Sequence, residues 1–331
     1  MDVQTHNDLP GEWHDSLDAV KDEFQRLDGV LIALSGGTDS SLLLALAARW
    51  LPGETFAAAT AVGPMFAQVE TRRARAVAEQ AGVPLIEVPF DPQRVPEISA
   101  NPPDRCYHCK KAILSALSAE AERLGFEAIA TGTNRDDLSD YRPGLRAEEE
   151  FQVVRPYLAA QMGKAAIRAV SRAMGLATAE VDSAACLASR VPYGRAINEA
   201  TLQRIEEAET ELGELGLSKL RVRDHGELAR LEVAPEEIPR AAADRQRIVA
   251  ICRQAGYRYV TLDLTGYRTG SLNEARKHRG IRPRPGANPI PRASAHRSGS
   301  GSAPRRRRHA GPSCVGRSAR RRPRRSRRPF P

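Results

Sequence analysis

Four sets of residues in this chain have types and spacings that suit chemistry. The first is Ser35-Gly36-Gly37-Thr38-Asp39-Ser40, set between apolar runs at 31–34 and 42–48. Small residues at a strand-to-helix turn leave backbone N–H groups free to face an anion, and the positive end of the next helix dipole strengthens that field. A phosphate belongs in such a turn, and ATP is the expected source; a serine/glycine turn without a ligand is the plainer alternative. The turn has no lysine, so it fails the GxxxxGK[ST] pattern, and a kinase or GTPase reading falls with it. The second set is the loop from Ala184 to Gly194, which holds Cys186, Ser189 and Arg190. A lone cysteine is ordinarily a small buried hydrophobe. This one sits in a polar loop without helical or strand periodicity, where Arg190 is near enough in sequence to stabilise a thiolate, the nucleophilic form of sulfur. The third set is the CxxC pair Cys106 and Cys109. Zinc needs four ligands, so the pair is incomplete unless His108 and a distant group join it, and local packing is the expected role. In the fourth, Arg221 and Arg223 alternate along an apparent strand and share one face, which suits a substrate phosphate. Glu209 and Glu232 are plausible metal-binding neighbours; a solvated edge strand is the alternative.

These groups need a frame. An amphipathic helix around 17–27 precedes strands expected near 30–34, 55–61, 85–89 and 128–131, with helices near 40–50, 66–81, 107–124 and 164–174. That rhythm belongs to an α/β fold with a doubly wound parallel sheet, in which ligands sit beyond the carboxyl ends of the strands. The glycine turn and Thr131-Gly132-Thr133-Asn134 both lie at such ends, so Gly132 and Asn134 are expected to face the same nucleotide pocket; a bare turn is the alternative for Gly132. A smaller α+β region follows, with a helix at 199–212, strands at 219–223 and 229–233, a helix at 238–255 and a strand at 259–264.

The net charge of +9 comes from one end of the chain. Residues 276–331 hold 18 Arg and one Lys and no Asp or Glu, which leaves 31 basic against 41 acidic residues in 1–275. An acidic core argues against a broad nucleic-acid-binding face, because phosphate neutralisation by Lys and Arg drives such binding. The Arg/Pro/Ser-rich tail from 275 has too little apolar surface to fold and is expected to be disordered. It is either a nucleic-acid-binding tail or a non-native extension, such as a frame-shifted product of GC-rich DNA, and the second reading is preferred. The chain of 331 residues shows no secretory signal and no apolar run long enough to span a membrane, and its five cysteines form no even framework. A cytoplasmic protein with reduced thiols is expected.

Ser35–Ser40 resembles the PP-loop of ATP pyrophosphatases, which cut ATP between the α and β phosphates, leave AMP on a substrate and hold the departing pyrophosphate. Further motifs follow in order: Arg105-Cys106-Tyr107-His108-Cys109-Lys110, Thr131 to Asp137, Pro143-Gly144-Leu145-Arg146-Ala147, Cys186-Leu187-Ala188-Ser189-Arg190-Val191-Pro192-Tyr193-Gly194, and Gly266 to Asn273. With these, residues 15–274 resemble the LarE-type ATP-dependent sacrificial sulfur transferases. The resemblance implies that a carboxylate of pyridinium-3,5-biscarboxylic acid mononucleotide is adenylylated, in the synthesis of the nickel-pincer cofactor of lactate racemase. Cys186 would displace AMP and give up its sulfur, becoming dehydroalanine. It also implies an ATP site at Ser35, Gly36, Gly37, Thr38, Asp39 and Ser40, a substrate site including Ser189, Arg190, Arg221 and Arg223, and a homo-oligomer. Mg²⁺ is expected, since pyrophosphate leaves with developing negative charge; Asp39 would assist it or cap the turn. Some family members replace the sacrificial chemistry by a three-cysteine iron–sulfur cluster near this loop; here no cysteine other than Cys186 lies between 109 and 252, which favours the sacrificial form. Where relatives commonly carry a Trp-Asp-Lys-Pro-like run, this chain has Ala179-Glu180-Val181-Asp182-Ser183, a departure in the approach to the cysteine.

The expected division is a PP-loop domain of the adenine nucleotide alpha hydrolase-like type at 1–178, a substrate and oligomerisation domain at 179–274, and the tail at 275–331. The rival readings are a tRNA thiolase or an amide-forming synthetase on the same loop, and a non-catalytic nucleotide- or RNA-binding protein driven by the tail.

Overall fold

The computed structural model describes residues 9–139, 143–181 and 185–268. Along the chain run α1 (His14–Gln25), β1 (Val30–Ala33), α2 (Thr38–Trp50), β2 (Phe56–Val62), α3 (Gln68–Ala81), β3 (Leu85–Pro89), α4 (Pro96–Ser99), α5 (Arg105–Leu124), β4 (Ala128–Ala130), α6 (Gly144–Glu150), α7 (Pro156–Ala159) and α8 (Lys164–Ala173). Then come α9 (Glu199–Gly213), β5 (Leu220–Asp224), β6 (Leu228–Val233), α10 (Ile238–Ala243), α11 (Arg245–Gln254) and β7 (Tyr259–Leu262). The arginine-rich stretch from 275, with its expected disorder, and the part of the Gly266–Asn273 motif from 269 lie outside the described residues.

The first sheet is parallel, in the order β3-β2-β1-β4, with Val30 opposite both Phe56 and Ala128. A strand buried on both faces needs apolar residues at every position, and β1 supplies them as Val30, Leu31 and Ile32. Alternation sends Val30 and Ile32 into the core beneath α1, α2, α3 and α8, with Phe24, Leu43, Leu46, Val77 and Ile167. Leu31 points the other way, toward Leu114 and Leu117 of α5. Helices therefore cover both faces, and the α/β fold read from the sequence is the one observed. Strand order reverses between β1 and β4, because the chain moves outward through β2 and β3 before returning beside β1. Such a reversal opens a crevice at the carboxyl ends, where ligands bind in sheets of this kind.

The second sheet has the order β5-β6-β7, with β5 and β6 antiparallel and β6 and β7 parallel. Its core joins Val222, Leu231 and Val233 to Leu212 of α9 and Ile248 and Cys252 of α11. Two expectations change here. The single helix over 238–255 breaks at Asp244, which leaves helical geometry at φ −80°, ψ 12°; Asp favours helix ends because its side chain competes for nearby backbone groups. The last strand stops at Leu262, since Asp263 turns the chain and its Oδ1 accepts a hydrogen bond from the Thr265 amide at 2.8 Å.

Register also fixes a charge problem in this sheet. Arg223 stands directly opposite Arg230, a destabilising pairing, and Arg221 opposite Glu232. Fully buried Glu232 resolves it by accepting from Arg223 Nη2 at 2.6 Å and Arg230 Nη2 at 3.0 Å. Glu232→Gln should therefore cost about 3 kcal/mol in urea unfolding, the scale of a broken buried ion pair. The Mg²⁺ dependence of any ATP reaction should stay unchanged, whereas a metal ligand at this position would shift it.

Candidate functional site

At the carboxyl end of β1 the chain enters Ser35-Gly36-Gly37 and then α2. Gly36 has φ +76°, and a β-carbon there would run into the carbonyl oxygen of Glu70 on α3, so the turn requires glycine for both conformation and space. Ser40 folds the loop onto the first turn of α2: its Oγ accepts from the Ser35 amide at 3.1 Å and lies 3.0 Å from Ser35 Oγ. The Thr38 hydroxyl faces away, toward the carbonyl oxygens of Thr178 and Val181 at 2.6 and 2.8 Å. Gly132, just beyond β4, packs so closely on α2 that a β-carbon would lie 2.9 Å from the Asp39 carbonyl carbon and the Ser40 nitrogen. These elements enclose a cavity of ≈310 Å³ whose polar wall includes Ser35, Asp39, Ser40, Gly132 and Asp137, and whose apolar wall includes Leu34, Phe66, Ile113 and Leu117. A sugar-phosphate can lie along the first wall and a flat base against the second.

Asn134 is not on that wall. It is fully buried, and its Oδ1 accepts from the Asp136 amide at 3.0 Å, which shapes the turn that presents Asp137. Sequence reasoning missed two cavity residues, Lys110 and Glu70, and the buried Glu148 beside Lys110. Lys110 enters from α5, its Nζ 2.8 Å from Oε1 of Glu148, a buried carboxylate that also accepts from Thr133 Oγ1. Glu70 enters from α3; burial raises its carboxyl pKa, opposed by the nearby charges of Arg190, Arg73 and Arg221. Lys110 lies within the singled-out Arg105–Lys110 run, but nothing local marks Glu70 or Glu148.

The cysteine loop lies against the same walls. Leu187 N–H donates to Met65 O at 2.9 Å, pinning the loop to the β2–α3 connection that continues into Phe66 and Glu70. Cys186 and Cys109 pack on one apolar cluster containing Met65, Phe90, Ile98, Leu187 and Ala188. Arg190 is 5% exposed and turned onto its own loop. It donates to the carbonyl oxygens of Ala185 and Cys186 and to Ser189 Oγ, and it makes a two-pronged pair with Glu209 at 3.0 and 2.8 Å. Arg223 donates to Ser189 O at 3.0 Å, and Glu209 also accepts from the Val222 amide at 2.8 Å. Arg221 lies with its guanidinium carbon 5.3 Å from the Tyr267 ring centre. The structure thus gathers Cys186, Ser189, Arg190, Glu209 and Arg223 around one loop. It does not gather Asp39, Glu209 and Glu232: among the described residues no three His, Cys, Asp or Glu groups form a metal-holding set, and both glutamates are engaged by arginines.

The thiols also depart from expectation. Burial raises the Cys186 pKa; Arg105 opposes this more strongly than Arg190, while Cys106 adds to the rise. Burial raises Cys109 as well, with Cys186 and Cys106 adding to it. Cys106 is exposed. The CxxC segment is therefore a neighbour of Cys186, and the argument from the lack of another cysteine between 109 and 252 fails in three dimensions. The sign of the Cys186 shift has a measurable result. Its thiolate forms above the ordinary thiol pKa of about 8.5, so alkylation of the Cys186 peptide by iodoacetamide should keep accelerating beyond that pH, as read by mass spectrometry.

Residues 17–130 match the asparagine synthase family. The chain is 38% identical over 259 residues to an uncharacterised protein of Synechocystis sp., covering 78% of this chain and 96% of that one. It is 32% identical over 256 residues to pyridinium-3,5-bisthiocarboxylic acid mononucleotide synthase of Lactiplantibacillus plantarum, covering 77% and 91%. An uncharacterised protein of Methanocaldococcus jannaschii is 30% identical over 250 residues, covering 76% and 94%. Among the described residues no helix is long and apolar enough to cross a membrane.

Proposed function

Because the chain belongs to the LarE family of PP-loop enzymes, we propose that it uses ATP to activate a carboxylate of pyridinium-3,5-biscarboxylic acid mononucleotide and transfers sulfur to it from Cys186. The observation that carries this reading is the sharing of walls between cavity and cysteine loop. The segment from Met65 to Glu70 anchors Leu187 on one side and lines the cavity on the other, and α5 gives Lys110 and Ile113 to the cavity and Cys109 to the thiol cluster. An acyl-adenylate formed in the cavity is thereby born beside the sulfur.

In the first step a substrate carboxylate oxygen bonds to the α-phosphorus and the bond to the β-phosphate oxygen breaks. Backbone N–H groups of the glycine loop and the Lys110 ammonium receive the negative charge that develops on pyrophosphate. Asp39 and Asp137 both line the cavity, and one or two carboxylates with substrate phosphates is the donor set Mg²⁺ takes. Mg²⁺ held there would add charge neutralisation at the phosphates. Cys186 sulfur then bonds to the acyl carbon as AMP leaves. Loss of the Cα proton and cleavage of the Cβ–S bond leave a thiocarboxylate on the substrate and dehydroalanine at 186. Arg221, Arg223 and Arg190 supply positive charge for the substrate phosphate, and Ser189 a hydroxyl. The division into a PP-loop domain at 1–178 and a substrate domain at 179–274 assigns these two steps to different parts of the chain.

The test is the mass of the Cys186 peptide after incubation with Mg-ATP and the biscarboxylate mononucleotide. ATP-dependent loss of H₂S supports the reading; pyrophosphate release with Cys186 unchanged overturns it. The nearness of Cys106 and Cys109 favours a second reading, in which three thiols act together, as in the three-cysteine family members, and Cys186 is not consumed. Cys106→Ala and Cys109→Ala would then stop transfer as completely as loss of Cys186; under the sacrificial reading a first turnover survives both.

A further inference from the structure

Arg105 is 1% exposed, and among the described residues no Asp or Glu pairs with it. Its Nη1 donates to Asn101 Oδ1 at 2.7 Å and to Ala188 O at 2.9 Å, its Nη2 lies 3.8 Å from Cys106 Sγ, and its guanidinium carbon is 5.9 Å from the Tyr193 ring centre. Its Nε is buried with no partner. A guanidinium does not shed its proton, and removing one from water without a counter-ion is costly. A carbonyl anchor for the cysteine loop would not require that charge.

The groups around Arg105 able to become anions are the thiols of Cys186 and Cys106 and the phenol of Tyr193. Cys106 is exposed, so water can solvate its thiolate, whereas Cys186 packs on an apolar cluster and cannot rely on water to the same degree. Facing Cys186 are Arg105, Cys106 and Cys109 from α5 and Arg190 from its own loop. Of the two cations, Arg190 is neutralised by its two-pronged pair with Glu209 and is further offset by Glu70. Among the described residues, of these two cations only Arg105 brings charge that no carboxylate cancels. We propose that Arg105 is the positioning counter-cation of the Cys186 sulfur: it anchors the loop through Ala188 and holds uncompensated positive charge for the sulfur anion that attacks the acyl-adenylate. This rests on Cys186 being the nucleophile.

The test compares Arg105→Met and Arg105→Lys with the parent chain in the rate of Cys186 alkylation by iodoacetamide at one fixed pH, with circular dichroism and ATP binding as checks on the fold. The expected result is a loss of about tenfold or more for Arg105→Met, the scale of removing one charge contact, and rates within about threefold of the parent for Arg105→Lys. A folded Arg105→Met protein that alkylates at the parent rate overturns the proposal. If Arg105→Met does not fold, the charge is tested from the other side: Cys186→Asp should melt at a higher temperature than Cys186→Asn, because only the carboxylate can pair with Arg105, and equal melting overturns the proposal. Alkylation does not depend on turnover. Sulfur transfer surviving in Cys186→Ala would therefore refute the proposed function while leaving the Arg105 effect readable.

Discussion

Cys186→Ala should release pyrophosphate from ATP and the biscarboxylate mononucleotide while forming no thiocarboxylate. The loss should be complete within detection, at least about 10³-fold, because the substitution removes the transferred atom together with the nucleophile. Adenylylation should survive because the groups proposed to contact ATP belong to another part of the fold: Ser35, Asp39, Ser40 and Gly132 line the cavity, and Cys186 does not. The anchors of the cysteine loop run through Leu187, Ala188, Ser189 and Arg190, so alanine at 186 leaves them in place. Mass spectrometry of the product and a coupled pyrophosphate assay read the two steps separately. Loss of both activities together in a folded protein would mean that the thiol helps assemble the nucleotide site, which the described geometry does not support.

Gly36→Ala should weaken ATP binding by more than about 100-fold, since two costs coincide. A non-glycine residue at φ +76° costs on the order of 1–2 kcal/mol. The new β-carbon also meets the Glu70 carbonyl, a backbone atom that cannot rotate aside, so the first turn of α3 must move. That movement displaces the wall shared by the cavity and the cysteine loop, and sulfur transfer should fall with ATP affinity. Gly37→Ala is the contrast for stability: Gly37 has φ −87°, and its β-carbon would meet only Ser35 Oγ at 3.6 Å. Calorimetric titration with ATP and urea unfolding of the two variants would show whether the conformation of Gly36, rather than small size throughout the loop, sets the site.

Much of this was legible in the sequence because it is local. The apolar run of β1, the small residues after it and the helix beginning at Thr38 follow one another within twenty residues, and their periodicity and turn chemistry identify them. Arg221 and Glu232 show the limit. Read by residue type, a glutamate near two arginines suits a metal or a phosphate; the β5–β6 register, invisible in a single strand, makes it the counter-ion of Arg223 and Arg230. Arg105 shows the same limit more strongly. It is 83 residues from Ala188, whose carbonyl it holds, and no local pattern reports that approach. The break at Asp244 was missed for the opposite reason: apolar spacing continues across 238–255, and one residue's preference for helix ends overrides it.

The Thr38 hydroxyl has its acceptors at Thr178 and Val181. A chain emerging from the ribosome has the whole glycine loop about 140 residues before it has those two carbonyl groups, and domains fold from the N-terminal side as synthesis proceeds. The glycine turn is thus completed only when the stretch leading to Cys186 has been synthesised. An unfinished nascent polypeptide lacks a fully braced nucleotide loop, and the capacity to spend ATP matures together with the means to use it.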